Sequence, residues 1–450
     1  MNKMLVKSKY KSTFIIRPLE HLLDLQYASP NEHISYASFP SMNCVIDQGS
    51  LIKRYGTTID RTLVSTEEPQ IVTWFQGRDK TAYTVFLTQA DICKRNTSGS
   101  QTYTYITPQY TTGTVDTVTG TAVVGNSGTN WKTGTDLPAA GDKFVINADY
   151  TSTSEPAADW ATIASVGTDT SITLSAAYAH NKTTGTHAYT IRKVYTTPTD
   201  ERWTYAIVAN KFCFSNGNTY LQYWNGTDTT VANLDSTHDT TTPEYARYML
   251  SYANRLFCAD VYLDGQREPW TLAWCKEGGP SASPVAADWT DTTAGSADFV
   301  GTKSVITGLG RVVDKIIVYK HDSIILGNRT GISTAPVAFP RELPGIGCIA
   351  PYSIIQAMGT NFFRGNDDFY VINGDSPKPI GAKIRDKFAS LVSKGDQEKI
   401  WGVWSSKYRM LLWFANTSGY GQLAFAYDYN NSEWLCLKFS TNICGAGEIA

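Results

Sequence analysis

Along most of the chain the apolar positions fall in short runs, broken by Asn-Gly, Asp-Gly and Ser-Gly pairs. Runs this short, bounded by residues that accept turn geometry, predict β-strands joined by tight turns. One stretch differs. In "AKIRDKFASLVSKG" the residues Ile384, Phe388, Leu391 and Val392 share a helical face, and Gly395 is placed to cap the C-terminus. The expected class is all-β with one short helix.

The runs also repeat. "ANKFCFSNGNTYLQYWNGTD" at 209, "ANRLFCADVYLDGQREPWTLAW" at 253, "KHDSIILGNRTG" at 320 and "GTNFFRGNDDFYVINGDSPKPIG" at 359 each open on a polar turn, continue as an apolar strand and bend again. "SSKYRMLLWFANTSGYGQLAFAYDYNNSEWLCLKF" at 405 does the same with longer strands. The shorter spacings between starts match the period of about 40–45 residues of four-stranded propeller blades. A lone meander cannot cover both of its faces, whereas blades stacked radially cover each other. The pattern therefore predicts a β-propeller of four-stranded antiparallel blades. In the 361–381 stretch, Phe362, Phe363, Phe369, Val371 and Ile380 are expected to pack, with the acids at the bends.

From Thr112 to Lys193 the composition shifts to Thr, Gly, Ala and Ser. Alternation in "TGTAVVG", "DKFVIN", "WATIASV", "SITLSAAY" and "YTIRK" predicts a small β-barrel or sandwich. The flanks "TYTYITP" and "ERWTYAIVAN" read as propeller strands, so this is a domain inserted in a blade connection, where insertions cost little. The expected organisation is an N-terminal segment with the first blades (1–111), the inserted domain (112–194) and the remaining blades (195–450).

Candidate chemistry is sparse. Asn366, Asp367, Asp368, Asn373 and Asp375 offer oxygen ligands, but the D-x-[DN]-x-[DN]-G series with a distal Glu is missing, so turns are the preferred reading. The six histidines are dispersed, and no nucleophile elbow or phosphate loop occurs. A propeller glycosidase would need two carboxylates across a pocket; "FRGNDDFY" and "CADVYLDG" are the first places to look. Tyr220, Tyr223 and Trp224, like Trp401 and Trp404, could stack sugars or bases, but core wedging is favoured. No catalytic residue, metal or cofactor is expected.

Charge narrows the partners. Lys and Arg number 39 against 41 Asp and Glu, a net charge of −2. That balance argues against tight DNA binding and is compatible with a passage through which DNA slides. There is no apolar run long enough for a membrane span, and Arg17 and Glu20 follow the apolar patch Phe14–Ile16 too closely for a secretory leader. The eight cysteines form no CxxC pair and read as buried thiols.

Several stretches together resemble the tail nozzle, or packaged-DNA stabilisation, proteins of short-tailed bacteriophages. They are "YASFPSMNCVIDQGSLIKRYGT", "VVDKIIVYKHDSIILGN", "LPGIGCIAPYSIIQAMGTNFFRGNDDFYVINGDSPKPIGAKIRD" and "MLLWFA…LAFAYDYNNSEWLCLKF". The likeness covers about half the chain, and Tyr352 stands where that pattern commonly has arginine. It implies a structural virion protein of the tail, a homohexameric ring below the head-to-tail adaptor. The ring would extend the DNA channel, help retain the genome and support spikes, fibres or a plug. The alternatives are a glycan- or receptor-binding propeller and the glycosidase. Asp367, Asp375 and Asp386 are the candidate channel or subunit-contact residues. Either an N-terminal strand near Ser50–Arg54 or Val64–Phe75 is expected to complete the last blade, or the distal part of the nozzle is missing.

Overall fold

The computed structural model describes residues 4–7, 13–16, 44–47, 50–53, 69–96, 103–133, 137–149, 160–197, 201–234, 240–281, 284, 287–301, 304–439 and 443–446. The alternating and continuous apolar runs form strands, and the Gly- and Asn-rich pairs form the turns between them. Two hairpins come first, β1 (Met4–Lys7) with β2 (Thr13–Ile16) and β3 (Cys44–Asp47) with β4 (Ser50–Lys53).

Six four-stranded antiparallel sheets make a six-bladed propeller. Blade one is β5 (Pro69–Gln76), β6 (Ala82–Thr88), β7 (Ile92–Asn96) and β8 (Tyr103–Tyr105). Next comes an insertion of seven strands: β9 (Gln109–Tyr110), β10 (Val115–Thr119), β11 (Ala122–Gly125), β12 (Lys143–Ile146), β13 (Ala161–Thr168), β14 (Ser171–Leu174) and β15 (Tyr189–Arg192). Blade two is β16 (Thr204–Val208), β17 (Lys211–Ser215), β18 (Gln222–Trp224) and β19 (Ala232–Asn233). Blade three is β20 (Tyr245–Tyr252), β21 (Arg255–Leu263), β22 (Gln266–Trp274) and β23 (Gly295–Asp298), with helix α1 (Ala287–Thr290) before its last strand. Blade four is β24 (Ile306–Val312), β25 (Lys315–Lys320), β26 (Ser323–Ile332) and β27 (Ala335–Pro344). Blade five is β28 (Ile355–Ala357), β29 (Thr360–Arg364), β30 (Phe369–Ile372) and β31 (Lys378–Pro379). Helices α2 (Arg385–Leu391) and α3 (Lys394–Gln397) lead to blade six: β32 (Trp401–Ser405), β33 (Met410–Thr417), β34 (Gly421–Asp428) and β35 (Glu433–Leu437).

The chain divides into two compact units. One carries blades three to six with β16; the other carries blade one, the insertion and β17–β19. In the first unit β16 lies beside β20, β20 beside β24, and β28 beside β32, so the first strand of each of these blades is the inner one. Apolar layers fill the gaps between blades. Phe257 and Trp274 pack with Ile316 and Val318, and Tyr319 and Ile324 pack with Phe363 and Tyr370. Phe362 and Phe369 pack with Trp413, Phe425 and Trp434. In the second unit Phe75 and Val85 pack with Phe212 and Trp224. The insertion has its own core around Trp131, Phe144, Ile163 and Tyr189. Its sheet runs β10-β11-β14-β13-β12-β15-β9, and bridges Val115–His187 and Val118–Lys182 bring β10 back to the segment entering β15, barrel-fashion.

Four expectations need correction. Among the described residues no N-terminal strand joins the sheet of blade six: β4 pairs with β3 and β5 with β6, and β3 lies beside the outer strand β35 without entering its ladder. The helical stretch gives two helices, and with α1 the described residues hold three rather than one. Val392 is extended (φ −109°, ψ 119°), and Ser393 accepts from the Asp396 N–H to cap α3, which puts Gly395 inside a helix. Local capping by serine therefore wins over the glycine stop. The repeat beginning at 320 is out of phase. Those at 209, 253, 359 and 405 mark the turn between the first and second strands, whereas Lys320–Asp322 is the turn between the second and third. The equivalent turn in blade four is Val313-Asp314, with Val313 at φ 49°. A β-branched residue there is a poor turn signal, which hid it.

Candidate functional site

The segment 345–388 contains the most distinctive residues of the resemblance, and the fold gives most of them work at blade junctions. Gly345 has a left-handed backbone (φ 89°). Gly347 runs against the turn of blade four so closely that a Cβ would sit 2.4 Å from the His321 carbonyl carbon. Cys348 N–H donates to the Lys320 carbonyl at 2.9 Å. The 3₁₀ turn Pro351–Ser353 follows. Ser353 Oγ donates to the Ala350 carbonyl (2.7 Å) and accepts from Arg364 N–H (2.8 Å). Its carbonyl accepts from Trp413 Nε1 (2.9 Å), tying blade five to blade six. Trp434 Nε1 donates to the Ile380 carbonyl at 2.9 Å, a second tie between the same blades. Burial pushes the Cys348 thiol up to about 12.

Beside these ties lies a buried charged group. Arg364 is 3% exposed and Asp368 is 1% exposed. The Arg364 guanidinium lies over the Phe369 and Phe388 rings (5.2 and 5.0 Å) and donates to Gln397 Oε1 at 3.0 Å. Burial lowers its pKa to about 10. Asp368 Oδ1 accepts from Phe369 N–H at 2.7 Å, and Arg385 Nη1 stands 3.9 Å from Oδ2. Burial raises the Asp368 pKa, outweighing that hydrogen bond and both arginines. Gly381 makes the arrangement possible: a Cβ there would lie 2.0 Å from Asp368 Oδ1. Phe362, Phe363 and Phe369 are buried, and Val371 and Ile380 pack partly buried, as the sequence predicts. The acids at the bends are not all outside, because Asp368 turns inward into the space Gly381 leaves. Nothing local in the sequence distinguishes it from Asp367.

Asp367, Asp375 and Asp386 are exposed and lie apart. Asp367 is in the β29–β30 turn, where its Oδ1 accepts from the Tyr370 hydroxyl at 2.6 Å. Asp375 follows β30 at the other end, 3.4 Å from Lys315 Nζ. Asp386 is in the first turn of α2, 3.9 Å from Arg385. None of the three is on an inner strand. The Asn366–Asp368 and Asn373–Asp375 groups sit at opposite ends of β30, about 13 Å of strand apart, and do not converge as one ligand set. Among the described residues no three His, Cys, Asp or Glu side chains are grouped to hold a metal.

The other carboxylate candidate, Asp260, is 1% exposed at a bulge with φ 51°. Both of its oxygens take Arg267, at 2.7 and 2.6 Å. Asp264 is exposed in the next turn. The aromatic candidates lean to the core: Tyr223 and Trp224 are buried, and Trp401 stacks on Phe414 at 4.2 Å. Exposed side chains on inner strands include Tyr205, Ile207, Arg311 and Gln356. At the rim of the insertion Tyr110, Leu137, Pro138, Asp142, Ile191 and Lys193 line a small, shallow depression. No helix among the described residues is long and apolar enough to cross a membrane. Of the seven cysteines whose side chains are described, six are buried and Cys444 is half-buried; none of the seven forms a disulfide.

No family model matches the chain, and no curated protein matches it. Among solved structures it is similar to U3-55K (7% identity, 85% of each chain covered, TM-score 0.39). It is also similar to the computationally designed Ika8 protein (11% identity, 82% of this chain and 86% of that one, TM-score 0.35). The Saccharomyces cerevisiae protein Sqt1 aligns at 12% identity over 54% of this chain and 63% of its own (TM-score 0.34). At these scores the alignments add nothing to what the strand order already shows.

Proposed function

We propose that the chain is a structural subunit of a short phage tail. It would form a nozzle ring of several copies below the head-to-tail adaptor, extending the DNA channel, helping to hold packaged DNA and carrying spikes, fibres or a plug. The observation that carries this reading is the work done by the resembling segment. Gly347, Cys348 and Ser353, with Trp413 and Trp434, are blade-to-blade fastenings. Their role is to hold a rigid wheel, and the ring needs no reactive group. The near-balanced charge suits a wall that duplex DNA passes without adhering. Immunogold labelling of intact particles with an antibody to this chain tests it. Gold at the tail is expected; gold over the capsid shell, or on no particle, overturns the reading.

A further inference from the structure

Each blade is an antiparallel meander, so its first turn opens at one end of the inner strands and its second turn at the other. The first turns of blades four, five and six present large apolar side chains to solvent: Val313 (78% exposed), Met358 (54%) and Tyr408 (52%). These are not casual positions. Val313 (φ 49°) and Met358 (φ 51°) hold left-handed backbones that glycine or asparagine would adopt more easily, as does Arg409 (φ 50°) beside Tyr408. Exposed cations flank them, Arg311 before Val313 and Lys407 and Arg409 around Tyr408. The nearby Lys315 and Asp375 face each other at 3.4 Å, and Asp314 is the one other exposed acid in these three first turns.

The opposite end has the complementary character. The second turns of blades three, four and five each expose an aspartate, Asp264, Asp322 and Asp367. Val300, in the connection entering blade four, is 65% exposed on that side.

We propose that the first-turn face of blades four to six is a self-association surface that seats on the second-turn face of another copy. Val313, Met358 and Tyr408 cover the neighbourhood of Val300, and the three cations meet the aspartate-tipped turns. Two different faces engage, so the contact is heterologous and closes as a ring when the rotation allows. This gives the nozzle ring a subunit contact, and to that extent it rests on the ring reading.

Sedimentation velocity and native mass spectrometry of the full chain at low salt test it. Wild type is expected to form species larger than one chain, diminishing as salt rises. A first-face variant (Met358→Asp with Lys407→Glu) and a second-face variant (Val300→Lys with Asp322→Lys) should each weaken association at least about tenfold. Circular dichroism melts check that both fold. Mixed, they should form one-to-one pairs and nothing larger, since each keeps one intact face. A monomeric wild type, variants that assemble like wild type, or folded variants that fail to pair would each overturn the proposal. Tail labelling is read separately: gold at the tail with a monomeric wild type removes this contact and leaves the ring reading, and the reverse result does the opposite.

Discussion

Replacing Gly381 by alanine isolates what holds Asp368 in the interior. The backbone at Gly381 lies outside the left-handed region, so alanine is acceptable there on conformational grounds. The obstacle is one atom: the new methyl would sit 2.0 Å from Asp368 Oδ1, with Phe369 N at 3.3 Å. The carboxyl group must swing away and lose its 2.7 Å bond from Phe369 N–H. Overpacking costs about 1–3 kcal/mol, and a hydrogen bond to a charged group is worth about 1.5–3 kcal/mol. Together these predict roughly 2.5–6 kcal/mol of destabilisation. Trp413 and Trp434 pack in the adjoining layer, so tryptophan fluorescence in a urea series reports on the region. The control is Asp368→Ala, which removes the obstructing oxygen. In that background Gly381→Ala should cost little, so nearly all of the single-variant penalty should appear as coupling between the two sites. A Gly381→Ala midpoint unchanged from wild type, or strictly additive effects in the double variant, would refute the steric account.

Three further outcomes are expected. Val313→Asn should raise the melting temperature of the monomer, by an amount corresponding to about 1 kcal/mol, since asparagine tolerates φ 49° better than valine does; a lower temperature would show that the valine packs usefully. Asp368 has a raised pKa, so the fold binds its proton more tightly than the unfolded chain does. Its contribution is therefore fully present below the ordinary carboxylate value of about 3.9 and is withdrawn as pH climbs from there through the raised folded-state value. Wild type should lose ground to Asp368→Asn over that window in paired urea melts; the opposite trend would mean that the arginines hold it as an anion. Cys348 and Cys436, both buried and pushed up to about 12, should resist a maleimide at pH 8 in the native protein and react after denaturation; peptide mapping that finds either labelled natively would contradict their enclosure.

Much of the architecture was legible because turn chemistry is local. Ala209-Asn210, Ala253-Asn254 and Met358-Gly359 carry left-handed residues at first turns, and asparagine or glycine announced each of them. The reading slipped where that link failed, at Val313-Asp314, where the fold holds a valine in the conformation its neighbours leave to softer residues. The candidate site was less legible for a different reason. Asp367 and Asp368 are adjacent and chemically identical, yet one is exposed and the other buried. The difference depends on Gly381, thirteen positions after Asp368, and on Arg364 and Arg385 across the turn. Ser353 likewise looks ordinary until Trp413, from another blade, is beside it. Spacing along a chain does not encode such meetings.

The ordering of strands within the blades has a consequence for how the molecule comes into being. Every blade draws its four strands from one continuous stretch, and the insertion falls between two blades rather than within a ladder. Hydrogen-bonded pairing is therefore almost entirely local in chain order, the condition under which long β-proteins avoid slow searches for distant partners. Each wedge can zip up as it leaves the ribosome and then offer its apolar flank as a template to the next. A chain arrested partway through synthesis should already hold its finished blades.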